Sequence, residues 1–269
     1  MSDLKIVSGN GFSQMGYTLE GTGKPLMLIH GFPENHTLWQ RIVPDLSENF
    51  TLVLPDVPGS GESKLEDGTI TIERLADAMK SILDAENIEQ VVIAGHSMGG
   101  YIALAFAEKY PSMVKGLSLV HSTATADDEE KKQKRQKSIE LIRNGGKEAF
   151  IKEMTPNLFA KSFREENKEV IKEQIIRGMQ LPEESMIAFY TAMMNRKDRT
   201  SILKTATYPV QMIIGKEETI APMDLLLEQA AMADVSFASV YEDSLHMSMI
   251  EKPESLANDL LNFTTYCYT

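Results

Sequence analysis

Gly95-His96-Ser97-Met98-Gly99 is the stretch of this chain whose residue types suit a definite chemistry. In the G-x-S-x-G pattern the serine occupies a sharp strand-to-helix turn that projects its hydroxyl above a sheet. A side chain at either flanking glycine would crowd that turn. A serine hydroxyl is a poor nucleophile at neutral pH, so it needs a base within hydrogen-bond reach, and the base needs a group that fixes its tautomer and steadies its charged form.

Five histidines are available as the base: His30, His36, His96, His121 and His246. His30 precedes the glycine of a strand end and His96 is the variable position of the turn, so both read as structural, with side chains directed away from the serine's. His36 opens a helix and reads as a cap or surface residue. His121 ends a strand beside the serine's own and lines the site without anything to order it as the base. His246 lies in EDSLHMSMIEKPE, between the last strand and the last helix, where a loop at the carboxyl end of a parallel sheet hangs over the turn. In the chain order serine, acid, histidine the acid follows the preceding strand, and IIGKEETIAP supplies Glu217 and Glu218 there. Asp243 is a third carboxylate, at the end of the last strand, where a solvent-facing role is expected.

The pentapeptide also occurs as an ordinary turn, so its surroundings decide its meaning. The apolar run at 91–94 predicts a strand buried on both faces, and a helix over 101–110 stopped by Pro111 follows, with Gly100 letting it pack close. Further strands are predicted at 4–7 and 15–19, joined by an Asn10-Gly11 turn, and at 26–31, 51–55, 114–120, 208–214 and 235–241. A helix is expected with FPENHTLW, running to about Leu46; helical spacing predicts one capped by Thr71 that carries Ile72, Leu75, Ala76, Met79, Ile82 and Leu83; further helices are expected over 222–231 and from Pro253. Strands alternating with amphipathic helices imply βα units and a parallel sheet covered on both faces.

At Ser122 the texture changes. From 124 to about 206 the chain has only helix-like stretches, and it reads as a helical lid (123–206) inserted between two parts of the core, 1–122 and 207–269. Its charge run DDEEKKQKRQK reads as a solvated helix face. Met186, Phe189, Tyr190 and Met193 share one helical face, for which core packing is the default. Met154, Leu158, Phe159, Phe189 and Met193 suggest an apolar substrate pocket, suited to a small or medium apolar acyl group.

The chain has 269 residues and a formal charge of −12, which disfavours phosphate backbones and anionic lipid as partners and leaves a small molecule as the expected one. Cys267 is the single cysteine, so no internal disulfide is possible, as suits a reducing compartment. No basic segment followed by an apolar stretch opens the sequence and no run reaches the length of a membrane span, so a cytoplasmic location is expected. The histidines lack metal-ligand spacing and GSG in DVPGSGES is not a dinucleotide fingerprint, so neither metal nor organic cofactor is expected.

Together HGFPENHTLW, DVPGSGES, GHSMGG, IIGKEETIAP and LHMSMIEKPE resemble the α/β-hydrolases of the lidded, cofactor-free esterase and lactonase kind, over essentially the full length. The resemblance implies a mostly parallel eight-stranded α/β sheet with a helical cap after the sixth strand. It implies an oxyanion hole made by the N–H groups of Phe32 and Met98. It also selects Glu218 as the acid, three residues after Gly215 and four before Pro222, where family members usually carry aspartate. HGFPE is similar as well to epoxide hydrolases and dehalogenases, which use an aspartate nucleophile; Ser97 argues against both. The expected activity is hydrolysis of an ester or lactone through an acyl-enzyme on Ser97, His246 and Glu218. A C–C bond hydrolase, an acyltransferase or a slow-turnover receptor would use the same residues.

Overall fold

A computed structural model describes residues 3–66 and 68–269. Strands β1 (Lys5–Gly9) and β2 (Phe12–Glu20) form a hairpin whose turn residues, Asn10 and Gly11, have φ of 48° and 82°. A two-residue turn of this type requires positive φ at both positions, which explains the Asn-Gly pair. The remaining strands are β3 (Lys24–Ile29), β4 (Phe50–Pro55), β5 (Val91–His96), β6 (Val114–Val120), β7 (Val210–Gly215) and β8 (Ser236–Tyr241). They make one eight-stranded sheet in the order β1-β2-β4-β3-β5-β6-β7-β8, parallel from β4 to β8, with β2 reversed.

The helices are α1 (Val43–Ser47), α2 (Ile72–Ala85), α3 (Met98–Lys109), α4 (Glu129–Leu141), α5 (Lys147–Met154), α6 (Lys161–Glu166), α7 (Lys168–Met179), α8 (Glu183–Met194), α9 (Thr200–Lys204), α10 (Met223–Ala230), α11 (Ser248–Glu251) and α12 (Pro253–Cys267). Two apolar layers flank the sheet. Met27, Ile29, Val91 and Ile93 face the layer holding α2 and α3, whereas Leu26, Leu28, Val92 and Ala94 face the one holding α12. Successive side chains alternate across a strand, so a strand with helices on both sides must be apolar at every position. That is the reason the central strands read as continuous runs.

On α2, the Thr71 hydroxyl accepts from the N–H of Arg74, and the six apolar positions named above are all buried. The cap contributes about 1 kcal/mol, and each large apolar side chain roughly 1.5–3 kcal/mol of transfer free energy. One expectation is corrected. Instead of a helix running on to Leu46, His36–Trp39 is a 3₁₀ turn capped by Asn35, and α1 begins separately at Val43. Pro44 has no N–H to donate to the carbonyl of Gln40, so a helix cannot run through it, whereas the first turn of a new helix tolerates it.

Between β6 and β7 the chain forms α4 to α9, with no strand among the described residues. Its two ends are stapled together. The N–H of Arg199 donates to the Ala124 carbonyl at 2.8 Å, and the buried Arg196 guanidinium bonds Asp127 at 2.7 Å and the Thr125 carbonyl at 2.9 Å. Most of α4 is exposed, as the charge run implied, but Arg135 and Lys131 turn inward to Asp127 and to the Ile220 carbonyl. Among the described residues no helix is long and apolar enough to cross a membrane.

Candidate active site

Ser97 connects the end of β5 to the start of α3 with φ 51° and ψ −114°. For a residue with a Cβ this conformation costs of the order of 1–3 kcal/mol and persists only where the surroundings enforce it. They do so through hydrogen bonds from the Ser97 N–H to the Val120 carbonyl (3.0 Å), and to the Ser97 carbonyl from the Gly100 N–H (2.9 Å) and the Ser122 hydroxyl (2.8 Å). A Cβ at Gly95 would lie 2.3 Å from the Gly99 carbonyl oxygen, and one at Gly99 would lie 2.2 Å from that of Ile29. Both positions therefore exclude any side chain.

The His30-Gly31-Phe32 turn presses against this elbow: a Cβ at Gly31 would stand 3.1 Å from the Ser97 Cβ. Met98 is the first residue of α3, so its N–H has no intrahelical carbonyl. Phe32, which precedes Pro33 through a cis peptide, sits edge-on to Tyr190 at 4.9 Å and 6.4 Å from Phe150.

His246 is buried on the loop after β8, and its Nδ1 lies 3.0 and 3.2 Å from the two carboxylate oxygens of Glu218. The side chain of Glu218 is 1% exposed, whereas Glu217 and Asp243 face solvent. Burial alone would raise the Glu218 pKa; the His246 and His121 rings outweigh it and hold the carboxyl well below its usual range. The N–H groups of Thr219 and Ile220 also donate to this carboxylate, at 2.9 and 3.1 Å.

His121 Nδ1 approaches Glu218 at 3.0 Å and its Nε2 is 2.8 Å from the Ser248 hydroxyl. An ionised carboxylate only accepts, so both Nδ1 atoms carry protons. The His121 Nε2 and the Ser248 hydroxyl share that ring's second hydrogen bond. His96 Nε2 donates to the backbone carbonyl of His246 at 2.9 Å. Burial first, then the neighbouring imidazoles, hold His96 well below the ordinary histidine value, so it stays neutral. His30 accepts the Val57 N–H at 2.9 Å and ties the loop after β4 to the turn after β3. His36 is not a cap: Asn35 caps the 3₁₀ turn, and the His36 ring meets the buried Asp56 at 2.8 Å.

Sequence reasoning missed Glu251. It is 9% exposed, and its Oε2 accepts from the Ser244 hydroxyl and the N–H groups of Leu245 and Met247, at 2.8, 3.1 and 3.2 Å. Its Oε1 accepts from the Ala160 N–H at 2.7 Å, while the His246 N–H donates to the Leu158 carbonyl at 3.1 Å. One carboxylate thus shapes both sides of the histidine loop and docks the 155–160 segment on it. The signal available was an acid at the entrance to a proline-started helix.

The residues expected to line the pocket divide between the two apolar layers. Phe189 and Met193, with the half-buried Met154, pack in the layer of Phe32 and Tyr190; Phe159 lies in the layer of Met247, stacked on Phe163, with Leu158 at its edge. The aromatic trio Phe32, Phe150 and Tyr190 was not expected. Although the histidines lack metal-ligand spacing in sequence, the fold brings donor atoms of His121, Glu218 and His246 within 4.8 Å of one another. Each of these imidazole contacts to Glu218 is accounted for by a ring N–H donated to a carboxylate.

The profile of the family described as alpha/beta hydrolase fold matches residues 24–253. A thermophilic esterase from Thermogutta terrifontis, solved with malate bound, is similar at 28% identity and a TM-score of 0.92, each chain covered in full. The enol-lactonase from Burkholderia xenovorans LB400 shares the fold at 21% identity and a TM-score of 0.88, over 97% of this chain and 100% of that one. Lipase 3 of Moraxella sp. (strain TA144) is 29% identical over 254 residues, 90% of this chain and 78% of that protein. The matches to the first mycobacterial relatives span only 33% of their length.

Proposed function

The chain belongs to the alpha/beta hydrolase fold family, and from that premise we propose that it is a serine hydrolase cleaving a carboxylic ester or lactone of a small, mainly apolar substrate through an acyl-enzyme. The observation that carries this reading is the strained Ser97 elbow combined with the His246 to Glu218 hydrogen bond at 3.0 Å. Ser97 Oγ attacks the carbonyl carbon and His246 Nε2 takes its proton. Glu218 keeps the Nδ1–H tautomer in place and stabilises the imidazolium without becoming protonated. The N–H groups of Phe32 and Met98 hold the oxyanion, a type of contact whose loss costs roughly 2.7–4 kcal/mol. His246 then protonates the leaving oxygen, and water repeats the sequence on the acyl-enzyme to release the acid and restore Ser97.

Residues 123–206 act as a cap in this proposal, with 1–122 and 207–269 as the core. Met154, Phe159, Phe189 and Met193 would form apolar walls from both sides. A serine nucleophile also separates this chain from the aspartate-dependent branches of the family, because a serine ether formed by alkylation would not be hydrolysed by acyl chemistry.

Fluorophosphonate labelling followed by peptide mapping tests the assignment. Label is expected on Ser97 alone, with multiple turnovers of short acyl p-nitrophenyl esters that vanish in Ser97→Ala while the fold persists. Label elsewhere, or undiminished turnover in the variant, sinks the proposal; a single turnover points to a receptor.

A further inference from the structure

A cavity of about 280 Å³ opens between α3, α4, α8 and the loop that follows Glu218. Its walls belong to the neighbours of the site. Tyr101 is four residues, about one turn, beyond Ser97 on α3; Ile220 donates its N–H to Glu218; Tyr190 packs on Phe32. Four cations and one acid line it: Lys131, Lys134, Arg135 and Arg196 against Asp127. On a chain of charge −12, that concentration of positive charge in one cavity is not what a neutral ester requires.

Holding the 123–206 segment together accounts for only part of this charge. Arg196 is occupied by Asp127 and by the Thr125 and Met193 carbonyls, with its guanidinium 4.0 Å over the Tyr101 ring. Lys134 pairs with Glu130 on the exposed flank. Arg135, in contrast, gives Asp127 only its Nε, at 2.5 Å; its guanidinium lies 5.3 Å over the Tyr190 ring, and its two Nη groups make no hydrogen bond among the described residues. Lys131 donates to the Ile220 carbonyl at 2.6 Å and has no carboxylate partner among the described residues. Burial pushes the Tyr190 hydroxyl up to about 12, against the pull of Arg135, so it remains a neutral donor.

Resting on the serine hydrolase reading, we infer that this cavity is a carboxylate subsite, and that the substrate carries one carboxylate besides its ester or lactone group and an apolar body. The two Nη groups of Arg135 present a planar fork that matches a carboxylate in bidentate fashion, and Lys131 adds a point charge. Two guanidiniums share Asp127, which leaves one positive charge from that trio, and Lys131 adds a second.

A matched pair of p-nitrophenyl esters, the monoglutarate and the valerate, tests the inference. The monoglutarate should have the higher kcat/KM. The ratio between the two should fall about tenfold, mainly through KM, in Arg135→Gln and in Lys131→Gln, with part retained in Arg135→Lys. A valerate preference, or the same ratio in the parent and both glutamine variants, overturns it. Arg135 also holds Asp127, so a second measurement avoids reliance on that variant: titration calorimetry of free glutarate with Ser97→Ala, with and without Lys131→Gln. Glutarate should bind, and more weakly without Lys131. Absence of binding, or tighter binding of inorganic phosphate, overturns the carboxylate assignment. Failure of the hydrolase reading is a different result: Ser97 takes no label and neither ester turns over, while glutarate binding still reports on the cavity.

Discussion

Nδ1 of His121 and Nδ1 of His246 approach the same oxygen of Glu218, each at 3.0 Å. Glu218 is therefore held by a second imidazole that is itself anchored on Ser248, and it does not rely on the His246 ring for its position. Four N–H groups converge on one buried carboxylate, which is why its charged form persists despite desolvation.

Glu218→Gln keeps the shape but removes the charge opposite His246. Changing the analogous aspartate of a serine protease to its amide costs about 10⁴ in kcat, and a loss approaching that size is expected here. Glu217→Gln and Asp243→Asn should change kcat little, since both side chains face solvent. Steady-state kinetics of the three variants decide the matter; a crippled Glu217→Gln would overturn the choice of acid.

Glu251 is a positioning residue for His246. Glu251→Gln puts an amide donor against the N–H groups that the carboxylate now accepts. A displacement of the ring by about 1 Å can cost roughly 10²-fold, so kcat should fall by about that much with KM within about twofold. Faster amide exchange at Ala160 should accompany it. A purely structural role would lower the melting temperature and leave kcat unchanged for the folded fraction.

Stability should respond to pH through Glu34. It is 3% exposed, its Oε2 has no hydrogen-bond partner, and burial pushes its pKa from 4.5 up to about 7 against the pull of Arg177. A carboxyl with a raised folded pKa contributes its stability in full below the unfolded value and loses it as pH rises through the folded one. The difference corresponds to about 3 kcal/mol. Glu34→Gln should therefore raise the melting temperature at pH 8.5 by roughly 5–10 °C, with a much smaller effect at pH 4.5. Destabilisation at pH 8.5 would show that the ionised form is used.

If residues 123–206 gate the site, hydrogen exchange should find parts of α4 to α9 opening more readily than β5. The 155–160 segment should be the slowest part of the cap, because Leu158 and Ala160 are bonded to the histidine loop. Uniform protection across cap and sheet would count against a gate.

The elbow was legible because its determinants are local: an apolar strand, two glycines without room for a Cβ, and a helix start within ten residues. The central strands were legible for a related reason, since burial on both faces writes itself into every position of them. The choice among Glu217, Glu218 and Asp243 needed the family spacing, because three nearby carboxylates are alike in sequence and differ only in where their side chains point.

The helix expected up to Leu46 is broken because Pro44 has no N–H to donate to the Gln40 carbonyl. His121, His96, Glu251, Arg135 and Lys131 acquired their roles only in three dimensions. The β5–β6 register sets His96 opposite Val120, which brings His121 beside the elbow, and the bond from the His121 N–H to the Ile213 carbonyl carries that order across to the strand that ends in the Glu218 loop. His96 reaches a carbonyl 150 residues away, and Glu251 reaches an N–H 91 residues away. Contacts over such separations are fixed by strand order and register and leave no periodicity in the chain. The sequence by itself thus determined the elbow, the layers and the residues proposed for the chemistry, while the tertiary structure alone decided which side chains hold them in place.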